Sequence, residues 1–129
     1  MRLIVKEIEQ DNDMTIIKGD TGIGTIRGIW KGDEYPVVGN GYFVELTIEK
    51  ICNQVFDILD TSTYIGVWLY ENIVLFRGVC EDIDEEVYYI RFKPDWLEMV
   101  EIVDFDDEKK RGECVSFSVR YENVLIFSY

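Results

Sequence analysis

Short runs of β-branched and aromatic residues, broken at close intervals by Gly, Asn and Asp, constrain the fold of this 129-residue chain more than any other feature. Lys18-Gly19-Asp20 and Lys31-Gly32-Asp33 each follow a strand-like residue, and Gly39-Asn40-Gly41 precedes the run YFVELTI. Val, Ile, Tyr, Phe and Trp suit a pleated, half-buried surface, whereas Gly, Asn and Asp supply the backbone angles that tight turns require. The pattern predicts a mainly β chain, an antiparallel barrel or sandwich assembled from hairpins. Strands are expected at the N-terminal MRLIVKEIEQ, in TIRGIW and YFVEL, and over about 64–70, 73–80, 86–92, 98–105, 114–121 and 124–129. Pro94 marks a turn in KPDWL, and DFDDEKKRGE (104–113) is expected as an exposed hairpin loop.

One stretch changes period. Ile48, Ile51, Cys52, Val55, Phe56 and Leu59 recur at i, i+3, i+4, i+7, i+8 and i+11, the spacing of an apolar helical stripe. It predicts one packed α-helix over about 49–59, with Thr47 as its N-cap and Glu49, Lys50, Asn53 and Asp57 toward water.

YENIVLF (70–76) returns as YENVLIF (121–127). Turns at Glu71-Asn72 and Glu122-Asn123 make two hairpins, because Asn tolerates the positive φ of a two-residue loop and the flanking residues suit strands. The first pairs Tyr70 with Ile73 and Trp68 with Leu75, apolar on both faces. The second pairs Tyr121 with Val124, with Ser116, Ser118 and Arg120 on its more polar side. The flanking residues do not match, so the two copies represent the same turn chemistry and not a duplicated module.

Composition then limits the chemistry. At 129 residues and 47% hydrophobic content, residues 1–129 are expected to form a single domain around a substantial core. No apolar run reaches the roughly 18 residues of a membrane helix, and the N-terminus reads as a first strand and not as a signal peptide, so no membrane association is expected. Cys52, Cys80 and Cys114 are widely spaced, form no CxxC pair, and read as buried thiols of a cytoplasmic protein. Histidine is absent, which excludes Ser-His-Asp and Cys-His catalysis and imidazole metal ligands. No catalytic constellation is recognisable, and no cofactor or metal is expected. GIGTIRG does not match a dinucleotide fingerprint, and neither acidic cluster has EF-hand spacing.

Net charge is −13, and residues 81–108 alone contribute −10. Direct nucleic-acid binding, which needs a concentrated positive surface, is not expected. A basic protein partner is. Asp82, Asp84, Glu85 and Glu86 in one cluster and Asp104, Asp106, Asp107 and Glu108 in another, edged by Trp96, form the expected partner surface. This points to a small acidic binding protein, comparable in size and charge with bacterial immunity-type inhibitors that occlude a basic partner such as a nuclease toxin. An alternative is a β-barrel that grips or transforms a small anionic ligand through Arg27, Arg77, Arg91 and Arg120, each set in a strand-like run. A third is a structural subunit that oligomerises through an exposed strand edge, for which the C-terminal strand is one candidate.

Overall fold

Period-two alternation carries nearly every element. The computed structural model describes residues 1–57, 65–101 and 111–129, and these form eleven β-strands and one short 3₁₀ turn. In β1 (Arg2–Asp11) Leu3 and Val5 are buried between exposed or half-buried neighbours. It pairs with β2 (Met14–Asp20), which pairs with β3 (Thr25–Trp30). β4 (Gly41–Ile48) and the C-terminal β11 (Val124–Ser128) complete a closed barrel in the order β1-β2-β3-β11-β4. β11 runs antiparallel to β4 and parallel to β3. The first Lys-Gly-Asp lies inside β2, where Gly19 pairs with Val5 and Ile26, and is not a turn. A Cβ on Gly19 would stand 2.6 Å from Leu3 Cδ1, so glycine there serves core packing.

The remaining strands are β5 (Ile51–Asp57), β6 (Gly66–Tyr70), β7 (Ile73–Asp84), β8 (Val87–Lys93), β9 (Trp96–Glu101) and β10 (Cys114–Arg120). They form a second, half-barrel sheet in the order β5-β10-β7-β8-β9. Val79 of β7 pairs with Cys114 on one side and Arg91 on the other, so β6 and β8 share the edge opposite β10, one after the other. Among the described residues no helix is long and apolar enough to cross a membrane.

The mainly β expectation holds, but the helix over 49–59 does not form. Ile51–Asp57 are a strand, paired with β10 from Val119↔Ile51 to Cys114↔Asp57, and 58–59 lie outside the described residues. Thr47, the expected N-cap, is in β4 opposite Leu125. Short apolar runs fit both periods, and tertiary context settles between them. Here β10 offers one edge to β7 and leaves the other to be satisfied, and β5 satisfies it as the continuation of β4 across Glu49-Lys50.

The first YEN hairpin forms in the expected register, Tyr70↔Ile73 through Val67↔Phe76. Positive φ falls on Glu71 (54°), however, and one face is half-exposed and not covered. The second copy is no hairpin. Tyr121–Asn123 form the 3₁₀ turn through which the chain leaves β10 in one sheet and enters β11 in the other. Glu49 N–H donates to Asn123 O at 3.0 Å, so β4–β5 and β10–β11 run as one antiparallel ladder that bends between the sheets.

One core joins the two sheets. Leu3, Val5, Ile17 and Val44 of the barrel belong to the same buried cluster as Phe76, Ile90, Phe117 and Val119. Phe76 stacks on Phe117 at 5.2 Å between ring centroids, and Phe92 meets Trp96 at 4.7 Å.

Candidate binding cleft

The acidic residues expected to face a partner divide into two groups. β7 and β8 are joined at Glu85-Glu86, with Glu85 at φ 56°, and Asp84, Glu85 and Glu86 are exposed at the tip. Below them Arg91 grips Glu81 with bonds of 2.6 and 3.2 Å, and Arg111 Nε donates to Asp82 at 2.6 Å. These contacts hold both carboxyls below their usual range. The tip carboxylates make no ion pair with any described residue. Asp104, Asp106, Asp107 and Glu108 lie outside the described residues. Trp96, expected at the edge of this surface, is 2% exposed and packs in the core instead.

Three of the four strand arginines share a face. Arg77, Arg91 and Arg120 stand on the side of the second sheet opposite Phe76, Ile90 and Val119. Arg77 donates to Ser116 Oγ at 3.1 Å, Arg91 holds Glu81, and Arg120 Nε reaches Glu122 at 3.4 Å. Arg27 sits apart, at the seam between the sheets. Its guanidinium donates to Glu9 Oε2 and Asn72 Oδ1, each at 2.9 Å, and lies 3.9 Å from the Tyr121 ring centroid. Tyr121 N–H in turn donates to Asn72 O at 2.9 Å, so the two YEN segments meet around Arg27. Of the cysteines, Cys80 and Cys114 are buried as expected, whereas Cys52 is exposed. Among the described residues no group of three or more Cys, Asp or Glu side chains could hold a metal ion.

A site that the sequence did not indicate lies between the two sheets. A cleft of about 600 Å³ is lined by Val44–Ile48 of β4 on the barrel side and by Arg91 and Pro94–Met99 on the other, with Met1 and Tyr129 also contributing. Val44 exchanges both backbone hydrogen bonds with Met1, at 2.8 and 3.1 Å. Farther along that edge Leu46 and Ile48 have no strand beside them among the described residues, and β9 pairs with β8 alone. Two open strand edges therefore belong to the walls of the cleft, and open edges carry unspent backbone donors and acceptors.

Glu98 gives the cleft its chemistry. β9 alternates buried and exposed residues, and Glu98 takes a buried position between Trp96 and Val100, at 6% exposure. Burial pushes its carboxyl up to about 8, because a charge is costly away from water. The Trp96 indole and the Met1 ammonium pull it down by less, and Glu45 adds a small upward push. Trp96 Nε1 is itself buried and closes no hydrogen bond of good geometry. A neutral carboxyl that can both donate and accept therefore stands beside an indole donor that meets it only in poor geometry. Glu45 and Asp95 are exposed on the lining, and Arg91, the strand arginine found there, is already neutralised by Glu81.

The residues on β9 were hard to read in advance. In WLEMVE both parities hold two apolar residues and one Glu, so alternation does not reveal which Glu points inward. Comparison of the chain with known protein families, with curated proteins and with solved structures finds no match.

Proposed function

We propose that the chain is an acidic binding protein that occludes a basic protein partner, such as a nuclease toxin, as an inhibitor does. The observation that supports this most is the β7–β8 tip, where Asp84, Glu85 and Glu86 stand exposed with no cation paired to them among the described residues. Glu81 and Asp82, lower in the same hairpin, are neutralised by Arg91 and Arg111. Neutralised pairs fix the hairpin, and the unpaired tip supplies the field. A two-residue turn on paired strands holds those carboxylates in place, which lowers the ordering cost of docking. A net charge of −13 steers a positive partner toward the surface and repels nucleic acid. In this proposal Asp104, Asp106, Asp107 and Glu108 add to the negative charge that draws the partner.

The test is affinity capture of the partner, followed by binding kinetics with Asp84→Asn/Glu85→Gln/Glu86→Gln. The captured protein is expected to be basic, and its association rate to fall steeply as salt rises. The triple variant should associate roughly 10-fold more slowly at low salt and show less salt dependence. Equal kinetics for variant and wild type, or an acidic partner, would overturn this assignment.

A further inference from the structure

We infer that the cleft between β4 and β9 is the receptor for a lysine or arginine side chain presented on an extended segment of the basic partner, with Glu98 as its counter-ion and Trp96 Nε1 as the donor that steadies it. The inference rests on the basic-partner reading and moves the central contact from the hairpin tip into the cleft.

Three independent observations converge. The first is the pair of buried polar groups, since Glu98 and Trp96 are 6% and 2% exposed and the indole N–H stands beside the carboxyl without closing a hydrogen bond of good geometry. Buried polar groups are ordinarily satisfied, and an indole donor poorly aligned beside a buried carboxyl is half of an anion-stabilising pair. An arriving cation supplies the other half. Glu98 gives up its proton, accepts from the indole and from the ammonium or guanidinium, and leaves no group without a partner. The second is charge: Glu45 of β4 and Asp95 before β9 are acids, while Arg91 of β8 is held by Glu81. The Met1 ammonium near Glu98 offsets only one of these two exposed acids, which leaves the lining negative and favours a positive guest over a negative one. The third is shape, because the strand edge at Leu46 and Ile48 lacks a neighbour among the described residues and runs along the wall. An extended segment adds to such an edge with main-chain hydrogen bonds and directs alternate side chains inward. The methylene stem of a lysine then packs on Ile48 and Leu46 while its head reaches Glu98.

The proton balance gives a signature that a generic acidic patch lacks. At pH 7 Glu98 mostly carries its proton, so seating the cation releases close to one proton, whereas at pH 9 little is released. The probe is an acetylated, amidated pentapeptide of alternating valine and threonine with a central lysine, alongside its norleucine twin and n-butylammonium. Titration calorimetry in two buffers of different ionisation enthalpy reads both affinity and proton release. The lysine peptide is expected to bind at least 10-fold more tightly than either control, with proton release at pH 7 that largely fades at pH 9. Glu98→Gln should abolish both the preference and the release, and Trp96→Phe, which keeps the ring packing, should weaken the preference. Equal binding of the lysine and norleucine peptides, butylammonium as tight as the peptide, or lysine preference retained in Glu98→Gln would each overturn the cleft assignment. If the cleft test fails while partner capture still depends on the hairpin tip, the basic-partner reading survives without this site.

Discussion

Glu98 shows how far one side chain can depart from its reference chemistry when parity places it inside. Its folded pKa, about 8, lies above the unfolded value near 4.5. Between those two values the native state holds a proton that the unfolded chain has lost, so stability falls as pH rises through this window and levels off above it. Urea unfolding at pH 5, 7 and 8.5 should show that decline in the wild type, whereas Glu98→Gln should flatten it. At pH 8.5 the variant should exceed the wild type by on the order of 4 kcal/mol. An unchanged slope in the variant would place the titrating group elsewhere. Arg27 makes a related point about legibility. Its four-way grip on Glu9, Glu71, Asn72 and Tyr121 draws on residues remote in the chain. Composition placed it in a strand, but no local pattern could name those partners.

Among the elements, three of the four hairpins that close over two residues follow one rule, the exception being β8–β9 at Pro94-Asp95. β1–β2, β6–β7 and β7–β8 close over two residues, and the first of the two takes positive φ: Asn12 at 55°, Glu71 at 54° and Glu85 at 56°. Asn suits that conformation and Glu does not. Glu85→Asn should therefore stabilise the protein by about 0.5–1 kcal/mol, measured by urea unfolding. Glu86→Asn removes the same charge from a residue without positive φ and is expected to give less. Equal gains would assign the effect to charge and not to the backbone. The first YEN hairpin was legible down to its register because turn and strand signals agreed locally. Its second copy carries the same local signals and forms no hairpin, since Val124–Ser128 find better partners in β3 and β4 than in β10. The 51–57 segment failed in the same way: its apolar spacing fitted a helix, and the open edge of β10 required a strand.

For the molecule as a whole, the shared core and the bending ladder couple barrel and half-barrel. Phe117 lies near the middle of that core, fully buried and stacked on Phe76. Phe117→Ala should cost about 3–5 kcal/mol, and near-UV and far-UV circular dichroism should still report one coincident unfolding transition. Two separated transitions would show that the sheets fold independently.

By itself the sequence determined the mainly β character, most strand positions, the first YEN register, the absence of imidazole chemistry and the excess of negative charge. These follow from local propensity, period-two alternation and composition, which need no knowledge of distant partners. Tertiary structure alone decided that 51–57 is a strand, that the second YEN is a bend between sheets, and that Trp96 and Glu98 turn inward to a cleft. Each of those outcomes depends on which strand edge or buried face lies opposite, and that neighbour is supplied by residues far away in the chain.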